Sequence, residues 1–337
     1  MNSWGWRVAA VLAALFFFPS ECPAPLVYRP GEGWTYEAPG TEGKWTRTRA
    51  KDQLDLAEAA FAEGQYDLAL KAAQRTVKVW PLSDYAPRAQ YLAARCLEAK
   101  GREEKAFKAY QTLLDDYPKV EMYQEVLERQ YEIANQYLNG KWFRLWGTIP
   151  AFPSMERTVK MYNAVIENGP YSPIAPQAQL NIGAARENQS SFFNKTDPFR
   201  EAVQAYLTAA DRYFDNRQVA SEAVFKAGRA YFKQAKKADY DQSVAAQAIA
   251  TFTDFLTLYP TDPRAGEAQA MIGELKTEQA RGCFVTARYY EKKKRWNGAL
   301  IYYNEVLVKD PNSPSASQAK LKIEQIRSQH AQQTAQR

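Results

Sequence analysis

Starting at Ala69 the chain reads ALKAAQRTVKVWP, and at Ala106 it reads AFKAYQTLLDDYP, the same order of small, polar and apolar positions 37 residues later. Further copies begin at Thr158 (TVKMYNAVIENGP), Ala202 (AVQAYLTAADRYF), Ala248 (AIATFTDFLTLYP) and Ala299 (ALIYYNEVLVKDP). Each opens on a small residue, and in five of the six an aromatic follows at i+4: Tyr110, Tyr162, Tyr206, Phe252 and Tyr303. With apolar or small residues again at i+7, these positions lie along one face of an α-helix. Pro81, Pro118, Pro170, Pro260 and Pro311 stand twelve positions after the opening residue. Proline has no N–H for the helical ladder and drives its predecessor out of the α region, so each helix stops there.

A second helical pattern precedes each copy and ends in a turn signal. These run from Leu54 to Glu63 before Gly64, Ala89 to Lys100 before Gly101, Glu121 to Leu138, Ala175 to Asn188, Ser221 to Lys237 and Cys283 to Lys294. Helix, short turn, helix and proline make a tetratricopeptide unit. The middle of such a unit is legible in Gly64-Gln65-Tyr66-Asp67-Leu68-Ala69-Leu70 and again in Arg295-Trp296-Asn297-Gly298-Ala299-Leu300. One pair cannot bury both of its faces, so neighbours must stack. The predicted fold is therefore all-α: a tetratricopeptide-repeat α-solenoid of about six helix pairs, with one concave surface.

Successive copies lie 37, 52, 44, 46 and 51 residues apart, where the standard unit is about 34. Insertions account for the excess. The longest, Asn139 to Pro153 (NGKWFRLWGTIPAFP), splits the third unit. Gln189 to Pro198 reads as a polar loop, Ala238 to Ala246 as a helix connection, and Asp262 to Gly282 as an additional helix before the last pair.

The N-terminal end is of another kind. After Met1 to Arg7 comes an apolar run of 11 residues, Val8 to Phe18, too short to span a bilayer and suited to the core of an export signal. The expected organisation is a signal peptide over 1–22, an extended Pro/Gly-rich leader over 23–46, the solenoid over 47–327 and a polar tail over 328–337. Cys22 sits where a bacterial lipoprotein carries its acylated cysteine, although Pro19-Ser20-Glu21 before it and Pro23 after it match a lipobox poorly. Lipidation of Cys22 and simple secretion both remain open.

Composition narrows the chemistry. The one histidine, His330, lies in the polar tail, which removes histidine-based acid/base triads and zinc motifs. Three scattered cysteines make neither a disulfide framework nor a CxxC site. Forty-four Lys and Arg against 38 Asp and Glu give a net charge of +6, spread among acids, which does not point to nucleic acid. With no phosphate loop and no nucleophile elbow, the chain reads as a non-enzyme without cofactor or metal.

The order of six irregular units behind an export signal, ending in Ala280-Arg-Gly-Cys-Phe-Val-Thr-Ala-Arg-Tyr-Tyr290 and Trp296-Asn-Gly-Ala-Leu-Ile-Tyr-Tyr303, resembles the BamD family. That family is the tetratricopeptide lipoprotein of the bacterial β-barrel assembly machine, and the likeness covers roughly Lys51 to Ile326. It implies a subunit at the periplasmic face of the outer membrane whose partners are the barrel insertase, other subunits of the machine and unfolded outer-membrane proteins, with a lipid anchor in the membrane. The fold alone equally fits a periplasmic scaffold for cell-division or polysaccharide-export machinery.

In such a solenoid the first helix of each pair lines the groove, and residues seven apart share its face. Arg88 and Arg95 share that face with Tyr91 between them; Phe61 in the first unit and Tyr131 and Asn135 in the third are aligned with it. Unfolded outer-membrane proteins end in an aromatic residue and a carboxylate, so the arginines are candidates to hold the carboxylate and Tyr91, Phe61 and Tyr131 to receive the ring. The alternative is that all six are packing and surface residues. In the insertion, Trp142, Phe143 and Trp146 either form an exposed patch for a partner or a membrane surface, or fold back into a gap between repeats.

Overall fold

The computed structural model describes residues 26–29, 33–36, 43–145, 149–152, 154–189, 197–237 and 242–335. Among them are thirteen α-helices, twelve arranged as six consecutive pairs. The pairs are α1 (Ala50–Ala62) with α2 (Tyr66–Val79), α3 (Ala86–Ala99) with α4 (Glu103–Asp116), and α5 (Tyr123–Leu138) with α6 (Met155–Asn168). Then come α7 (Ala175–Glu187) with α8 (Pro198–Arg212), α9 (Arg217–Lys237) with α10 (Gln242–Leu258), and α11 (Ala265–Lys292) with α12 (Trp296–Lys309). A single helix, α13 (Pro314–Ala335), follows the last pair. The chain divides into two compact units, Met1–Tyr123 and Gln124–Arg337.

The repeated segment is the second helix of every pair, and its small opening residue is where the helix is most tightly held. Ala69, Ala106, Thr158, Ala202, Ala248 and Ala299 are all fully buried. So are the rings four residues on, Tyr110, Tyr162, Tyr206, Phe252 and Tyr303. Room for the ring comes from the first helix. A Cβ added at Gly183 would stand 2.3 Å from the Tyr206 ring, and one at Gly228 would stand 2.6 Å from Phe252. Ala57, Ala94 and Ala287 occupy the same place in their pairs and are also buried.

A buried phenol must place its hydroxyl. Tyr110 donates to Glu98 at 2.8 Å, Tyr206 to Glu187 at 2.8 Å and Tyr303 to Glu291 at 2.5 Å, while Tyr162 donates to Asn135 at 2.6 Å. All four acceptors lie on the first helix; the three glutamates stand four residues after the small positions Ala94, Gly183 and Ala287, whereas Tyr131 stands four before Asn135. Where the second helix has no hydroxyl at this position, the acceptor's position holds an apolar residue: Phe232 in the pair of Phe252, and Phe61 in the pair of Ala73. A second recurring bond ties the two helices through the backbone. Gln53, Gln90 and Gln179 donate to the carbonyls of Ala72, Ala109 and Ala205, each three residues after the opening alanine.

In the second unit the cores overlap from pair to pair. One cluster joins Leu180, Tyr206 and Ala223 across α7, α8 and α9, the next joins Phe225, Phe252 and Ile272 across α9, α10 and α11, and the last joins Ala280, Tyr303 and Ile323 across α11, α12 and α13. This is the stacking that gives a repeat array its continuous core.

Three expectations are modified, and one turn departs from the glycine pattern. The leader is not simply extended, since β1 (Leu26–Arg29) and β2 (Gly33–Tyr36) pair antiparallel with Leu26 opposite Tyr36. Val, Tyr, Trp and Thr favour strand, and Pro-Gly-Glu separates the two runs. The segment from Asp262 to Gly282 is not a separate helix: α11 runs unbroken for 28 residues through Gly273 and Gly282, whose weak helix propensity is outweighed by the packing of Ile272, Leu275 and Ala280. The expected polar tail is helical to Ala335, as α13 continues through residues that tolerate helix. Finally, the left-handed residue of the turn between paired helices is glycine at Gly64 (φ 75°) and Gly101 (φ 62°) but Lys294 (φ 55°) in the last pair.

Candidate functional site

In the first unit four of the sequence-predicted residues come together on α1 and α3. The Arg95 guanidinium lies 5.8 Å from the centroid of Phe61 and 5.8 Å from that of Tyr91, and its Nη1 donates to the Tyr91 hydroxyl at 3.0 Å. Arg95 Nε stands 4.0 Å from the Glu98 carboxylate, which also takes the Tyr110 hydrogen bond. The Phe61 ring meets the edge of Tyr66, with centroids 5.4 Å apart. A half-buried guanidinium between two aromatic rings is worth on the order of 1 kcal/mol in cation–π attraction and is held at a fixed height above them. Arg88 lies on the same helix face and bridges to Glu58 at 2.5 Å, with most of its own side chain exposed. The two arginines thus differ: Arg95 is fixed between rings, while Arg88 stands at the surface with a carboxylate already beside it.

Tyr131 and Asn135 belong to the second unit and form a polar network there. Asn135 Oδ1 accepts from the Tyr162 hydroxyl and from Asn181 Nδ2 at 2.9 Å; Asn181 Nδ2 also reaches the Tyr131 hydroxyl at 3.1 Å. Tyr131 packs at 5.9 Å from the Tyr162 ring. Burial pushes the Tyr162 phenol above its ordinary range, with the Asn181 hydrogen bond opposing, so it stays a donor. Asn135 accepts the Tyr162 hydroxyl as Glu98 accepts that of Tyr110, so it is part of the repeat's own bonding as well as a candidate contact. The sequence reading placed Asn135 on the right helix face and missed Asn181, whose position was visible only once α7 lay beside α5 and α6.

The insertion forms a small hairpin, β3 (Phe143–Leu145) with β4 (Ile149–Phe152), in which Phe143 pairs with Phe152. Trp142 is 54% exposed. Phe143 is not part of an exposed patch: it is 1% exposed, stacked 4.1 Å from the Tyr137 ring, with the Arg157 guanidinium 5.3 Å above its face. The ring is buried against Tyr137 at the end of α5, so Phe143 takes the folded-back alternative and leaves the candidate patch. Trp146 and Cys22 lie outside the described residues. Among the described residues no helix is long and apolar enough to cross a membrane.

Comparison with known proteins adds the following. A family model described as outer membrane lipoprotein (YfiO) matches residues 153–337, and a tetratricopeptide-repeat model matches residues 54–121. No curated protein matches. Among solved structures, the C-terminal part of a tetratricopeptide-repeat protein from Cytophaga hutchinsonii is 15% identical, covering 80% of this chain and 87% of that one with a TM-score of 0.35. MamA from Desulfovibrio magneticus RS-1 is 14% identical over 64% of this chain and 97% of its own, with a TM-score of 0.32. PilW, a type IV pilus biogenesis factor, is 13% identical over 80% and 97%, with a TM-score of 0.28.

Proposed function

Because the chain belongs to the YfiO family of outer membrane lipoproteins, the BamD family, we propose that it is a non-enzymatic subunit of the outer-membrane β-barrel assembly machinery. It acts at the periplasmic face of the outer membrane, binding the barrel insertase and other subunits and receiving unfolded outer-membrane proteins. The observation that carries this reading is the family match over α6, the last three helix pairs and α13.

The Arg95 cluster supports the client half of the reading. A chain ending in an aromatic residue and a carboxylate needs a fixed cation beside aromatic faces, and Phe61, Tyr91 and Arg95 offer both within one hydrogen-bonded group. Arg88 would add a second cation by letting go of Glu58, an exposed pair of small intrinsic strength. Tyr131 and Asn135 are assigned as a client contact of the second unit by itself. Trp142 is assigned to a partner or the membrane surface, and Cys22 to the lipid anchor.

Affinity purification from envelope membranes after mild crosslinking, with mass spectrometry of the partners and of the mature N-terminus, tests the reading. Recovery of a barrel insertase together with an acylated Cys22 is the expected result. Recovery of division or polysaccharide-export proteins with an unmodified N-terminus would replace it with the scaffold reading.

A further inference from the structure

The first helix of the fifth pair, α9, carries Lys226, Arg229 and Lys233, three and four residues apart and therefore on one face. With Glu187, Asn188 and Tyr206 they line an open hollow of about 170 Å³. Two of the cations already have a carboxylate: Lys226 Nζ lies 2.8 Å from Glu222 one turn away, and Lys233 Nζ lies 2.6 Å from Glu187. Glu187 also accepts the Tyr206 hydroxyl, so its oxygens are shared between two donors. Arg229 is half-buried and has no carboxylate or hydrogen-bond acceptor among the described residues. A guanidinium carries five N–H donors, which a bound anion could accept.

We propose that this hollow is a binding site for a carboxylate carried by a partner polypeptide, with Arg229 as its fork and Lys226 and Lys233 as flanking charges. A carboxylate matches the planar fork of the guanidinium. The chain is read above as a polypeptide-binding scaffold, and the anion that an unmodified polypeptide carries is a carboxylate. The volume admits a terminal group and not a whole small-molecule ligand. The site is on α9, in the second unit, and shares no residue with the Arg95 cluster. It rests on the chain being a polypeptide-binding scaffold, not on which envelope machinery it serves.

Fluorescence anisotropy with the purified full chain provides the test. The probes are Gly/Ser peptides of equal length: one with a run of glutamates and an amidated C-terminus, one with glutamines and a free C-terminus, and one with glutamines and an amidated C-terminus. The expected result is binding of the first or the second, which separates side-chain from terminal carboxylate, and none of the third. R229M should weaken that binding about tenfold at unchanged thermal midpoint, and K320M on α13 should leave it unaltered. E187Q, which keeps an acceptor for Tyr206 and removes the competing charge, should tighten it. Absence of binding by any peptide, equal binding of the neutral amidated one, an R229M affinity equal to wild type, an equal loss in K320M, or displacement by inorganic phosphate at lower concentration than by acetate would each overturn the proposal. Since the partner purification above does not involve Arg229, failure here leaves that reading standing.

Discussion

Replacing Gly183 by alanine tests the packing logic of the repeat at its tightest point. In an exposed helix this change gains about 1 kcal/mol, because alanine has the better helix propensity. At Gly183 the new Cβ would stand 2.3, 2.5 and 2.7 Å from three atoms of the Tyr206 ring, inside any real contact distance. The ring is 1% exposed and its hydroxyl is bound to Glu187 at 2.8 Å, so it has nowhere to swing without surrendering that bond. Overpacking of this kind costs about 1–3 kcal/mol, and a displaced hydroxyl adds about 1 kcal/mol more. The net expectation for G183A is therefore a loss of about 1–3 kcal/mol despite the propensity gain. G273A is the internal contrast, since nothing lies within 4 Å of its Cβ on the same kind of helix. It should raise stability by up to about 1 kcal/mol. Urea unfolding followed by far-UV circular dichroism reads both, and in a Y206L background the cost of G183A should largely vanish. A G183A protein as stable as wild type would refute the reasoning.

Three further outcomes follow from single sites. Lys294 holds a left-handed turn that glycine holds in the first two pairs, so K294G should stabilise by up to about 1 kcal/mol in the same urea assay, where most glycine introductions destabilise. Asp262 accepts from Arg264 Nη2 at 2.7 Å, and those hydrogen bonds hold its carboxyl well below the usual carboxylate range against the opposing effect of burial. Its folded value lies below its unfolded one, so the contribution is complete above about pH 4 and is lost as the pH falls through the folded value; the stability gap between wild type and D262N should be full at neutral pH and close progressively below pH 4. Cys96 is fully buried and burial pushes its thiol up to about 11, so it should resist thiol reagents in the native protein and react on unfolding, at a rate read by mass spectrometry.

How much of this was legible beforehand differs by element. The six second helices were readable because a small residue, a ring at i+4 and a proline at i+12 recur with fixed spacing, and all six opening residues are buried. The first helices carried a weaker signal, and their function as acceptors was missed. Yet Glu98 and Tyr110 are separated by the same 12 residues as Glu291 and Tyr303, so the pairing was present in the sequence for anyone matching ring to acceptor. Insertions hid the others: residues 139–153 separate Asn135 from Tyr162, and residues 190–196 separate Glu187 from Tyr206. The leader hairpin was overlooked because four-residue strands give too few alternations to show a period of two. Phe143 was left between two alternatives because residue type cannot tell an exposed aromatic from one stacked on Tyr137. The cluster of Phe61, Tyr91 and Arg95 was anticipated from helix-face arithmetic, while the Glu58 bridge to Arg88 required the two helices to be seen side by side.

The proposed function turns on whether the first unit receives unfolded outer-membrane proteins. The most direct test places a photo-crosslinking amino acid at position 91, beside Arg95 and Phe61, in the full chain expressed in a Gram-negative envelope. Irradiation during outer-membrane protein synthesis should trap β-barrel precursors, and R95M in the same chain should reduce that yield severalfold while leaving the protein's level unchanged. Crosslinks confined to division or export proteins, or a precursor yield indifferent to R95M, would contradict the claim.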